Sequence, residues 1–299
     1  MSVNLHGIFA PVTTPFGKDG EIDRKAFEHN VAAHMTAGLK GVVVTGSTGE
    51  AALLDARERE SLGAWARAQV RGDRVLIVGV GAESTRTTLQ NAETAGEVGA
   101  DAVLVVAPHY FGSNMTEDAL RAHYLRVADE STSPVILYNI PKYMHFRLSK
   151  ALVSELARHE NVIGIKDSSG DRDSLTEYLA PQGDRFTTIT GSGQLWGTAL
   201  QMGARGGILA VSLFAPALSQ AVHDAVARKD FATADSLQAR LTPLAKHIVG
   251  EMGPAGVKVA MDCVGLKGGL PRSPLQPLSR ADADRVRQLL RDAELSVAA

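Results

Sequence analysis

Eight short, β-rich apolar runs punctuate the chain up to about residue 211, and longer helix-patterned segments separate them. The runs are GIFAPVT, GVVVTG, RVLIVGVG, AVLVVAP, PVILYNI, VIGIKDS, FTTITGS and GGILAVS. A strand that is apolar on both faces needs cover on both sides. A helix after every strand supplies that cover, which is the pattern of a parallel sheet built from βα units. Three helix-to-strand joints read alike, AGLKGVVV at Ala37, VGADAVLV at Val98 and MGARGGIL at Met202. Each places a glycine (Gly38, Gly99, Gly203) where a helix end calls for a left-handed residue. Asp55 with Glu58 fits a capping box at the start of DARERESLGAWARAQV. Eight such units point to a closed (β/α)8 barrel, with an open doubly wound sheet of the same units as the competitor.

The alternation stops near residue 225, so residues 1–225 are read as the barrel carrying the active site and 226–299 as a small C-terminal helical region. Within the latter, ARKDFATADSLQARLTPLAKHIV and SRADADRVRQLLRDAELS have helical patterns. The stretch between them starts as a short helix and ends in a Pro/Gly-rich loop. A chain of 299 residues with 44% hydrophobic and 21% charged side chains is an ordinary globular protein. Its formal charge of −2 argues against nucleic acid or an anionic membrane as partner. A single cysteine, Cys263, excludes an internal disulfide and fits a reducing compartment. The N-terminus lacks a signal-peptide pattern, and no apolar run approaches the ~20 residues of a membrane helix. The expectation is a soluble, cytoplasmic protein.

In a barrel the reacting groups sit at the C-terminal ends of the strands. Those ends carry GSTGE (Gly46 to Glu50), Tyr110 in APHYF, Tyr138 in LYNIPKY, Lys166 in GIKDSSGD, and Gly191 in TGSG. Hydroxyls, phenols, backbone amides and one amine therefore converge on one rim. No metal-ligand spacing is present; His29 and His34 are five apart, miss a shared helix face, and are read as solvated helix surface. GSGQLWG at Gly191 has the wrong spacing for a dinucleotide-binding loop, and no GxSxG elbow occurs. The set fits amine catalysis. A lysine on an inward barrel position is desolvated, which favours the neutral amine, and a neutral amine can attack a ketone to form a Schiff base. The competing reading places Lys166 past the strand in solvent; the apolar run up to Ile165 favours the pocket.

GSTGE, YNIP and GIKD, in that order on alternating βα units, together with the opening GIFAPVTTPF, resemble the dihydrodipicolinate synthase/N-acetylneuraminate lyase family of class I, pyruvate-dependent lysine aldolases. The resemblance runs the whole length of the chain. It implies a TIM barrel with C-terminal helices, Lys166 as the Schiff-base lysine, and Tyr138 as the neighbouring proton shuttle. Ser47 and Thr48 would be the hydroxyl pair that grips the substrate carboxylate and relays protons. Tyr110 would be the second tyrosine, reaching across a tight dimer interface, and Gly191 the strand-seven backbone position facing the substrate. It implies pyruvate and an aldehyde as partners, a homodimer or homotetramer, and no cofactor or metal. Physical reasons accompany these roles: loop N–H groups and small hydroxyls hold a carboxylate, and a phenol needs a hydrogen-bonded partner such as Ser47 to pass protons at neutral pH. Glu50 is expected to cap the following helix, and Asp167 and Ser168 to shape the pocket, with Ser168 the better substrate contact.

Synthases of that family typically read YNVPSRT, whose arginine binds the second substrate's carboxylate. Here YNIPKYM puts Tyr143 at that position, and a tyrosine makes no bidentate charged pair. Lys142 is adjacent, but on an extended segment it would point the other way. GIKDSSGD, GAESTRTT, GADAVLVVAPHYF and LPRSPLQPLS look closer to 4-hydroxy-2-oxoglutarate and 2-keto-3-deoxy sugar acid aldolases and dehydratases. The expected activity is therefore a reversible retro-aldol cleavage of a 4-hydroxy-2-oxo acid. Dihydrodipicolinate synthesis, dehydration at the same imine, and a non-catalytic binding barrel are the alternatives.

Overall fold

The computed structural model describes residues 3–297. Eight strands form in the expected places: β1 (Gly7–Pro11), β2 (Gly41–Val44), β3 (Val75–Gly79), β4 (Ala102–Val106), β5 (Val135–Asn139), β6 (Val162–Asp167), β7 (Thr187–Thr190) and β8 (Gly206–Ile208). All neighbours pair in parallel, and β8 returns to β1, so the sheet is the closed barrel rather than the open sheet. Nearly every strand residue is buried, as a sheet covered on both faces requires. The three repeated joints behave as read: Gly38, Gly99 and Gly203 have φ of +83°, +80° and +111°. The capping box is present too, with Asp55 accepting from Glu58 N and Glu58 from Asp55 N.

One irregularity sets the site. Val135 pairs with Val162, but Ile136 pairs with Gly164, so Ile163 is an extra residue in β6, a β-bulge. Paired residues in a parallel sheet point to the same side. The bulge therefore brings Lys166, rather than Ile165, opposite Tyr138.

The last barrel helix runs Pro216–Ala227, across the boundary at residue 225. Beyond it come an α-helix Phe231–Pro243, a π-helical run Leu244–Glu251, and helices Gly253–Cys263 and Arg280–Asp292. The loop between those last two helices folds back onto the barrel mouth. There Arg272 makes a bidentate pair with Glu58 (2.5 and 2.7 Å) and lies over the Phe16 ring.

His34 departs from the surface position expected for it. On helix Arg24–Thr36, His29 faces solvent while His34 is buried at 1% exposure, because five residues carry it round to the inner face. Burial pushes the imidazole down to about 4, and buried His123 is likewise held at about 4. Both native values lie below the ordinary 6.5, so the unfolded chain binds more protons between pH 6.5 and 4. Stability is then complete above pH 6.5 and falls as the pH drops through that window, by up to roughly 3 kcal/mol for each histidine. Urea midpoints at pH 7 and pH 4.5 should diverge clearly in the wild type and much less in a His34→Leu/His123→Leu double variant. An unchanged divergence in that variant would clear the histidines of responsibility.

Candidate active site

Lys166 and Tyr138 end adjacent strands, and both are buried, at 6% and 4% exposure. The Lys166 Nζ lies 4.1 Å from the centroid of the Tyr138 ring. Both side chains open into a cavity of about 260 Å³, lined also by Ser47, Thr48, Ser168 and Gly191. The amine, the phenol and the hydroxyls of the rim thus share one chamber. The wall is completed by Ile140, Lys142 and Tyr143 after β5, and by Val249, Gly250 and Val257 from the C-terminal helices.

Gly191 is dictated by close approach. A Cβ there would stand 1.9 Å from Ser168 Oγ and 2.8 Å from Lys166 Cε, closer than real contacts allow. The bare backbone leaves the lysine room to reach a carbonyl carbon. Gly191→Ala is expected to displace the Lys166 side chain and cut kcat/KM by ~10²-fold, the scale set by misplacing a reacting group by about 1 Å. Its urea midpoint should change little by comparison; wild-type kinetics in this variant would dismiss the argument.

Local backbone geometry presents the hydroxyl pair. Thr45, a β-branched residue, adopts φ +50° at the end of β2 and is fixed there by its Oγ1 donating to Gly79 O at 2.8 Å. The chain then turns into a single 3₁₀ turn, Ser47–Gly49, over the barrel mouth. After Lys166, Asp167 faces away from the cavity and organises the next loop. It accepts from Asn139 Nδ2 at 2.8 Å, Ser169 Oγ at 2.7 Å and Ser169 N at 3.1 Å, while its backbone O accepts from Gly191 N. Burial pushes the Asp167 carboxyl up, and the Asn139 and Ser169 hydrogen bonds oppose that rise.

The family model for the dihydrodipicolinate synthetases matches residues 4–293. The chain belongs to the dihydrodipicolinate synthetase family. It is accordingly a lyase of the pyruvate-using, Schiff-base class. A 4-hydroxy-tetrahydrodipicolinate synthase from Acidithiobacillus ferrooxidans is 34% identical over 290 residues, 97% of this chain and 99% of that one. One from Methanosarcina mazei is 33% identical, covering 96% and 98%. Among solved structures, the chloride-inhibited dihydrodipicolinate synthase from Acinetobacter baumannii complexed with pyruvate has a TM-score of 0.91 at 30% identity, covering 98% and 100%. A prophage protein of the dihydrodipicolinic acid synthase family from E. coli, in complex with pyruvate, has 0.91 at 28% identity, covering 97% and 99%.

Within this dihydrodipicolinate synthetase family barrel, six of the seven site residues expected from sequence line the cavity: Ser47, Thr48, Tyr138, Lys166, Ser168 and Gly191. Tyr110 does not. It is 79% exposed and packs edge-on against Phe111, which is 65% exposed, with ring centroids 5.0 Å apart. Backbone N–H groups of His109 and Tyr110 donate to Glu83 Oε2 at 2.8 Å, which holds that aromatic pair outward.

Glu50 corrects another expectation. Its side chain caps no helix; it is wholly buried against Lys258 and accepts from Arg272 N at 2.8 Å. The partner lies 208 positions away on a C-terminal helix, so local spacing gave no sign of it. Lys142 also departs from expectation. Pro141–Met144 is a helical turn and not an extended segment, so Lys142 and Tyr143 both reach the cavity wall. Proline at the first helical position was the overlooked signal. The apolar wall from Val249 and Val257 was missed because it comes from helices that read only as a C-terminal extension.

Proposed function

We propose that this lyase cleaves and forms a 4-hydroxy-2-oxo acid through a pyruvate Schiff base on Lys166. The observation that carries the reading is the buried Lys166 amine, close to the Tyr138 ring and facing the bare backbone of Gly191, in a cavity whose wall, among the described residues, contains no arginine. The Lys166 Nζ attacks the C2 ketone, and loss of water gives the iminium. Ser47 and Thr48 hold the C1 carboxylate at the mouth of β2. Tyr138, relaying through Ser47, takes the proton of the C4 hydroxyl. The C3–C4 electron pair moves into the iminium, an aldehyde departs, and an enamine remains. Protonation at C3 and hydrolysis release pyruvate and restore the amine. Tyr110, exposed in one chain, fits the role of a residue supplied to a second subunit's site.

A second reading, 4-hydroxy-tetrahydrodipicolinate synthesis from pyruvate and aspartate semialdehyde, is favoured by the names of the relatives given above. Against it stands Tyr143 at the position where a guanidinium would grip the semialdehyde carboxylate with two parallel bonds; Lys142, on the same wall, offers a single ammonium and no such fork. Pyruvate release from 4-hydroxy-2-oxoglutarate, assayed beside aspartate semialdehyde consumption, decides between them. Faster turnover of the hydroxy-oxo acid is expected. Robust turnover of the semialdehyde alone would overturn the aldolase reading in favour of the synthase.

A further inference from the structure

We propose that Lys142 is a specificity residue that binds a second carboxylate at the far end of the 2-oxo acid. The inference rests on the Schiff-base reading of Lys166, which fixes the near end of the substrate. Among the described residues, the side chains lining the cavity include two cations, Lys142 and Lys166, and no aspartate, glutamate or arginine. Lys166 is committed to the keto carbon. Lys142, an exposed residue on the turn after β5, also lines this cavity, and among the described residues it belongs to no ion pair. Its Nζ donates to a single neutral acceptor, Gly250 O, at 2.7 Å, and lies 5.5 Å from the Tyr143 ring centroid. Gly250 belongs to the π-helical run Leu244–Glu251, a winding concentrated at functional sites.

An ammonium held by one backbone carbonyl at the edge of an acid-free cavity is poised for an anion. A carboxylate outcompetes a neutral carbonyl for it, because a hydrogen bond between two charged groups is shorter and stronger. A 2-oxo acid with one carboxylate leaves Lys142 where it is. A diacid gives each cation a task, one covalent and one ionic. Lys142 therefore selects 2-oxo dicarboxylates over chains of equal length with an uncharged end.

The test uses two ketones that differ only at that end, 2-oxoglutarate and 2-oxopentanoate. Neither has a C4 hydroxyl, so neither is cleaved. Each condenses with the Lys166 amine with loss of water, borohydride delivers hydride to C2, and the secondary amine is read by intact mass. Wild-type protein should reach half-maximal labelling at about ten-fold lower 2-oxoglutarate than 2-oxopentanoate, the factor expected of one charge-assisted hydrogen bond near solvent. Lys142→Gln should erase the difference by weakening 2-oxoglutarate more than 2-oxopentanoate, and Lys142→Arg should keep it. Equal labelling by both ketones in the wild type, or an equal loss for both in Lys142→Gln, would overturn the proposal. Absence of any pyruvate adduct in the wild type would instead strike the Schiff-base reading itself.

Discussion

Lys166→Arg should lose at least ~10³-fold in kcat/KM, the scale on which removal of a covalent nucleophile registers. Arginine keeps the positive charge and most of the length, so the change isolates the chemistry of the nitrogen. A guanidinium stays protonated and forms no imine with a ketone under these conditions. The variant should also fail to gain the pyruvyl mass after borohydride reduction, while the wild type gains it once per chain. Far-ultraviolet circular dichroism separates a chemical loss from an unfolded chain. Full turnover by Lys166→Arg would remove the basis of the mechanism.

Lys258→Met should produce the largest loss of stability. The Glu50 and Lys258 side chains are buried at 0% and 1% exposure and face each other directly. Lys258 also donates to Leu270 O at 2.6 Å and lies 4.7 Å from the Phe16 ring centroid. Burial pulls the Lys258 ammonium's pKa down, and the Glu50 carboxylate opposes that fall. Removing the cation strands a carboxylate in the interior, at a cost of about 3–5 kcal/mol. For a domain of this size the melting temperature should drop by roughly 10 °C. Glu50 follows directly on the Ser47–Gly49 turn, so the same variant should bind 2-oxo acids more weakly. Glu50→Gln/Lys258→Met, which removes both charges, should recover much of the lost stability. A double variant no better than Lys258→Met alone would show that packing, and not the orphaned charge, is at issue.

The barrel was legible because its cause is local. Each strand declares itself by β-rich apolar residues, and each helix end by a glycine in the left-handed region. Lys166 was legible because a charge that closes an apolar strand invites a question. Glu50, His34 and Lys142 were misjudged for the opposite reason. The Lys258 partner of Glu50 is supplied by a distant helix, the burial of His34 follows from which helix face meets the barrel, and the direction of Lys142 depends on one helical turn begun by Pro141. Side-chain spacing within a segment carries none of that information. The cavity wall formed by Val249, Gly250 and Val257 belongs to the same class, because it depends on how the last quarter of the chain folds over the mouth.

Ile163 does not line the cavity, yet the phase of the sixth strand turns on it. Pair all six residues of that strand regularly, without the bulge, and Ile165 would stand opposite Tyr138, the amine would swing out toward the helices, and the Asp167 carboxylate would turn in toward the chamber. A nucleophile would be traded for an acid without any change in composition at the rim. Reactivity in this barrel is thus encoded by counting as much as by spelling.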